Sequence, residues 1–177
     1  AYIDADARQL IPLAVTIVLL IVGLAFRRII PALLALVIVL ASIVIALGLM
    51  SWSGIPFYVI TNTLPVILVG ISVADAIHIF GHFYELQADK PDAPRGELVA
   101  RALGDMWRPV TATSLTTAAG FLGLYFASEM PPFKYFGLFA AIGVMVAWLY
   151  SLVFLPAAMV LVDLKVHPSF FNAAGER

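Results

Sequence analysis

The sequence contains no cysteine and few charges, with only 12% of its 177 residues being Asp, Glu, Lys or Arg. Without cysteine there can be no disulfide and no thiolate metal site, and the redox compartment goes unmarked. A soluble domain of this length carries about 25% charged residues. Half that share, with 63% hydrophobic residues and a mean hydropathy of +1.03, excludes an ordinary water-soluble globule. Excess positive charge is missing as well: the net charge is -1, so no basic face is offered to nucleic acid. The first residue is not methionine, and no signal peptide precedes the first apolar run. We expect a segment of a longer polypeptide. What remains is an integral membrane protein or a piece of one.

Long apolar runs are what the chain has instead. Crossing the hydrocarbon as a helix takes about 20 residues. Runs of suitable length are Leu10–Phe26, Ile30–Met50, Pro56–Phe83, Val110–Ala127 and Phe136–Val162, all too long and continuous for strands. The expected fold is an all-α polytopic membrane helix bundle: one transmembrane domain over residues 1–177 with five spans. A polar loop is expected at about Glu85–Asp105, with a short interfacial helix near Gly96–Leu103, and a tight turn at Ser128–Pro132. Pro65 and Pro156 fall inside runs and predict local kinks, whereas Pro109 suits a first helical turn. Five spans put the two ends on opposite sides. Arg27, Arg28, Lys90, Arg95, Arg101, Arg108, Lys165 and Arg177 share one side, against Arg8 and Lys134 on the other. The positive-inside bias then places the N-terminus outside and the C-terminus in the cytoplasm.

Within the third run stands one carboxylate, Asp75, with no other Asp, Glu, Lys or Arg between Arg28 and Glu85. An acid in hydrocarbon costs about 2.5 kcal/mol or more on insertion scales, so it is normally kept for a task. Ser72, Asp75, His78 and His82 recur at i, i+3, i+6 and i+10, and this spacing predicts a polar stripe facing a bundle interior or a hydrated cavity. Desolvation favours the neutral carboxyl and a protonated histidine nearby favours the ionised one. The pair Asp75 and His78 can thus hold a proton in balance, as a proton carrier requires. Two other readings fit the stripe. Asp75 and His78 can be a buried structural pair bonding to neighbouring helices. Asp75, His78 and His82 can also ligate zinc, but no further intramembrane Cys, His or acid completes such a site. No metal and no cofactor is expected, and His82 is expected at the interface rather than in the core site.

The fourth run is dense in hydroxyls, with Thr111, Thr113, Ser114, Thr116 and Thr117 inside seven positions. Ala112, Thr116 and Gly120 repeat every fourth position, as do Gly143, Ala147 and Ser151 in the fifth run and Gly70 and Ala74 in the third. Small residues so spaced let helix backbones approach closely. Thr113, Thr116 and Thr117, with Ser72, are candidates to support Asp75 by hydrogen bonding or by holding water.

Two strings carry a resemblance: Gly70-Ile-Ser-Val-Ala74-Asp75-Ala-Ile-His78, and Arg108-Pro109-Val-Thr-Ala-Thr113-Ser114-Leu-Thr116-Thr117-Ala-Ala-Gly120-Phe121. Together they resemble the RND superfamily, in its branch of MMPL-type hydrophobe and lipid exporters, kin of Patched and of sterol-sensing domains. The entry Asp6-Ala-Arg8-Gln-Leu10 fits as well, so that the likeness covers about Asp6 to Leu164. The resemblance implies helices two to six of one six-helix repeat, with porter domains and a second repeat, or a homo-oligomeric partner, outside this chain. It also implies a proton-relay role for Asp75 in a bacterial inner (plasma) membrane exporter driven by the proton-motive force, acting on a hydrophobic or lipid-like substrate. No enzymatic chemistry is implied. The pattern departs at Ala74, where many members carry a first acid, which leaves His78 as the expected partner of Asp75. The alternative is a sterol- or lipid-sensing membrane module without net transport.

Overall fold

The computed structural model describes residues 29–162, and among these the chain is helical with no strand. Helix α1 is Ile29–Trp52, α2 Leu64–Asp89, α3 Arg95–Ala127 and α4 Pro131–Leu161, with a 3-10 turn at Val59–Thr63 leading into α2. All four α-helices are long and apolar enough to cross a membrane. They correspond to the second to fifth expected runs. The first, Leu10–Phe26, lies outside the described residues.

Short links join the helices, so sequence neighbours lie antiparallel. Gly54 closes α1: its φ of +69° is open to glycine at little cost, its N–H bonds to Ser51 O, and the Ile55 N–H reaches back to Met50 O at 3.3 Å. Such a Schellman ending satisfies two carbonyls that α1 leaves orphaned, and the accompanying contact puts Ile55 and Met50 in one apolar cluster. At the start of the 3-10 turn the Tyr58 N–H donates to Thr61 Oγ1 at 3.1 Å.

Three boundaries differ from expectation. The link between α2 and α3 is only residues 90–94, because most of the expected polar loop is helical. Leu98, Val99 and Ala102 are buried at helical spacing, so the first turns of α3 pack under the bundle's charged end despite their polar content. Helix α3 therefore has 33 residues, about 50 Å, where the hydrocarbon needs about 30 Å. As a result Pro109 stands inside α3 rather than in its first turn. Pro65, expected to kink a span, instead occupies the first turn of α2, where its missing N–H costs nothing. Pro156 does lie inside α4.

Many large apolar side chains face outward. Leu33, Val37, Leu40 and Val44 form an exposed face on α1, and Leu149, Val153 and Val160 do so on α4. A bundle that is apolar on its outer face as well as inside is one that faces lipid. Trp52, 86% exposed, caps the end of α1 as an interfacial ring does.

Candidate functional site

Of the three apolar clusters, a small one of Ala32, Val39, Val69 and Val73 joins α1 to α2, and two large ones fill the ends of the bundle. One cluster, around Ile38, Ile79, Phe80, Phe83, Leu98 and Leu155, fills the end where α2 meets α3. The other, around Met50, Leu64, Leu68, Ala118, Phe139 and Val144, fills the opposite end. Between them runs a polar belt to which three helices contribute: Ser42 from α1, Ser72 and Asp75 from α2, and Ser114 from α3, all buried. In sequence each belt residue falls between members of the two clusters, as Ser72 and Asp75 do between Leu68 and Ile79.

Asp75 is 4% exposed, and Ser114 Oγ donates to its Oδ2 at 3.3 Å. That is long for a hydroxyl–carboxyl bond, whose usual length is about 2.7 Å, so the tie is loose. Ser42 Oγ donates to Val39 O at 2.8 Å and lies 3.3 Å from Ser72 Oγ. A hydroxyl has one proton. With the Ser42 proton committed to its own helix, Ser72 is the donor between them. Ser72 thus turns toward α1 and Asp75 toward α3, and the belt joins three helices through two separate contacts.

The other expected site residues are placed differently. His78 is exposed, on the line of α2 that also exposes Gly70 and Ala74. Each i+3 step falls about 60° short of a full helical turn, so a stripe read at i, i+3, i+6 winds away from the interior after Asp75. His82, one turn further, is partly buried: Nε2 is 2.9 Å from Asp105 Oδ2 on α3, and Nδ1 is 3.3 Å from Glu85 Oε2. Thr113 and Thr116 are exposed and spend their protons on carbonyls of their own helix, Thr113 on Pro109 O and Val110 O, Thr116 on Ala112 O and Thr113 O. Thr117 is half-buried. The hydroxyls of this run that bond outside their helix are Ser114, on Asp75, and Thr111, which accepts from Trp148 Nε1 at 2.9 Å. Sequence reasoning passed over both. The signal for Ser114 was available: it stands four residues from Val110 and from Ala118, on the buried face.

Among the described residues no group of three His, Cys, Asp or Glu side chains could hold a metal. In the His82 cluster the two carboxylates face opposite ring nitrogens, so they cannot converge on one ion with the imidazole. Beside the belt, an open groove of about 610 Å³ between α3 and α4 is lined by Leu115, Ala118, Leu122, Ala141, Met145 and Trp148 among others, nearly all apolar.

Comparison with known proteins matches the sequence of this chain to a family. The model for the sterol-sensing domain of SREBP cleavage-activation matches residues 26–167. Protein dispatched homolog 1 of Mus musculus is 29% identical over 153 residues, 84% of this chain but 10% of that protein. A membrane protein of Methanocaldococcus jannaschii is 26% identical over 159 residues, 90% of this chain and 40% of its own length. One of Streptomyces coelicolor is 33% identical over 102 residues, 58% of this chain and 14% of its own. The chain thus spans between a tenth and two fifths of the length of these relatives.

Proposed function

Since the chain belongs to the sterol-sensing domain family, a helical membrane module of RND and Patched kinship, we propose that it is the transmembrane part of an exporter driven by the proton-motive force and acting on hydrophobic or lipid-like substrates. The observation that carries this reading is Asp75: a carboxyl 4% exposed, midway between two apolar clusters, loosely held by one hydroxyl of the next helix. An acid in hydrocarbon is normally functional, and a weak partner leaves it free to change charge.

In this reading Asp75 alternates between protonated and ionised states as access switches between the two sides of the membrane. The neutral carboxyl can donate as well as accept, whereas the ionised one only accepts and demands stronger solvation. Each change of charge therefore alters what α3 must present to α2 and shifts their packing. In the intact protein that shift is passed to domains outside this chain. The chemistry is transport, without covalent catalysis. The membrane is the bacterial plasma membrane, and the end bearing Arg95, Arg101 and Arg108 faces the cytoplasm.

The test is proton flux into pyranine-loaded proteoliposomes holding the intact protein. Asp75→Asn is expected to lower it about 100-fold, as loss of a positioned proton-transfer group does. Undiminished flux in that variant would sink the reading. A second reading, a lipid-sensing module without transport, draws support from the groove between α3 and α4, which is open, apolar and at hydrocarbon depth. It predicts no protein-dependent proton flux in the wild type, and lipid binding that Asp75→Asn leaves unchanged.

A further inference from the structure

Helix α3 carries its charges at one end: Arg95, Glu97, Arg101, Asp105 and Arg108, with none from Pro109 to Ala127. That uncharged part rises about 28 Å, close to the hydrocarbon thickness of about 30 Å. Arg108 thus stands at the membrane boundary, at the depth of lipid phosphates. It is exposed, and its guanidinium lies over the Trp107 ring, 5.3 Å from the centroid. Among the described residues no carboxylate pairs with it. The acids of α3 are engaged elsewhere, Glu97 with Arg101 at 2.7 Å and Asp105 with His82 of α2 at 2.9 Å. A guanidinium stacked on a ring keeps its edge N–H groups for a partner, in a fork that fits a phosphate.

Helical register connects this cation to the groove between α3 and α4. A step of seven residues falls only about 20° short of two full turns. Arg108, Leu115 and Leu122 therefore form one line along α3, and both leucines line the groove. Leu115 stands about 10 Å and Leu122 about 21 Å beyond Arg108. The bilayer centre is about 15 Å from its boundary, so the groove lies where an acyl chain with its headgroup at Arg108 would end. No large side chain of α3 interrupts the line: Ala112 is small and exposed, and Thr111 accepts from Trp148 Nε1 of α4 at 2.9 Å. Within the groove, Ala118, Ala119 and Ala141 leave the space. The opposite boundary offers a weaker anchor. Lys134 is half-buried and folded over the Tyr125 ring at 5.1 Å, and an ammonium lacks the guanidinium's fork.

We propose that Arg108 and the α3–α4 groove together hold one anionic phospholipid from the leaflet at the charged end, with its phosphate on the guanidinium and an acyl chain laid along Leu115, Ala119 and Leu122. A zwitterionic headgroup brings the same phosphate beside a cation of its own, so net negative charge is preferred. The site does not involve Asp75 and holds under either reading of the protein's function.

The test reconstitutes the intact protein in vesicles of equal parts phosphatidylglycerol and phosphatidylcholine, extracts it in mild detergent and counts the retained lipids by native mass spectrometry. The wild type is expected to retain phosphatidylglycerol in preference. Arg108→Gln should weaken that retention about five-fold, as loss of one cation near the membrane surface does. Ala119→Phe, which sets a ring in the groove from an exposed position, should lower it several-fold with Arg108 intact. Arg101→Gln and Lys134→Gln should leave it unchanged. Equal retention of the two lipids by the wild type would overturn the site. An equal loss in Arg101→Gln would do the same, since the attraction would then be diffuse charge. Loss in Lys134→Gln in place of Arg108→Gln would put the lipid in the other leaflet, against the proposal. Full retention by Ala119→Phe would remove the groove from it. Proton flux enters none of these outcomes, so they stand apart from the test of Asp75.

Discussion

Helix α3 makes two contacts of opposite construction. Against α4 it lies close: a Cβ added at Gly137 would stand 2.5 Å from the Phe121 carbonyl oxygen and 3.0 Å from the Tyr125 nitrogen, so glycine alone lets the two backbones meet there. Phe121 and Phe136 meet edge to face beside it, and Trp148 closes the hairpin's middle through Thr111. Against α2 the same helix presents Ser114 to a carboxyl at 3.3 Å and Asp105 to a histidine ring. The first contact is dry, small-residue packing, which is how membrane helices associate firmly. The second adds to its apolar packing a long bond at Asp75 and a surface tie at His82, beside the helix-interrupting Pro109. In the proposed transport cycle one helix serves as fixed partner on one side and as moving partner on the other.

Four substitutions test that division, in order of expected effect. Gly137→Leu should be the most damaging, because what its side chain meets is backbone that cannot swing aside. A loss of about 3 kcal/mol, the upper end for overpacking, should appear as a lower unfolding midpoint in detergent. Were Gly137→Leu neutral, the α3–α4 contact would not be the fixed one. Asp75→Asn is expected to act oppositely, lowering proton flux about 100-fold while moving the unfolding midpoint by no more than about 1 kcal/mol, since a neutral amide removes a charge that hydrocarbon disfavours. A large destabilisation would make Asp75 a structural tie, no different in kind from the α3–α4 contact. Gly143→Ala meets the flexible end of Leu68, with Cδ1 at 2.5 Å, so a rotamer change should limit its cost to about 1 kcal/mol. A loss equal to that of Gly137→Leu would show that α4 is as rigidly set against α2 as against α3. Thr116→Val should be smallest, within about 0.5 kcal/mol, because its hydroxyl serves only its own helix and faces outward. If that change slows proton flux, the outward face of α3 belongs to the moving joint.

Much of this was legible in the sequence, and the failures share a cause. Apolar runs and an isolated acid are one-dimensional signals, so the helices and Asp75 could be read directly. Spacing also tells which residues share a helical face, but not which face is covered. Gly143, Ala147 and Ser151 were read as a packing stripe and are buried. Ala112, Thr116 and Gly120 have the same spacing and are exposed. The choice of supporting hydroxyls failed in the same way, since Thr113 and Thr116 lie within two residues of Ser114 yet on another side of α3. The polar stretch before Pro109 read as loop because it is rich in Asp, Pro and Lys. Leu98, Val99 and Ala102 nevertheless find a cluster to bury in, and tertiary burial overrides local polarity.

By itself the sequence determined that this protein is a bundle of membrane helices built around one carboxyl, because the cost of a charge in hydrocarbon and the length needed to cross it are properties of residues taken in order. Only the tertiary structure decided which hydroxyl meets Asp75, that His78 turns outward, and that His82 joins α2 to α3. Those depend on how far each helix is rotated about its own axis. That rotation is set by the fit of small residues such as Gly137 against a neighbouring backbone, which no single run of sequence contains.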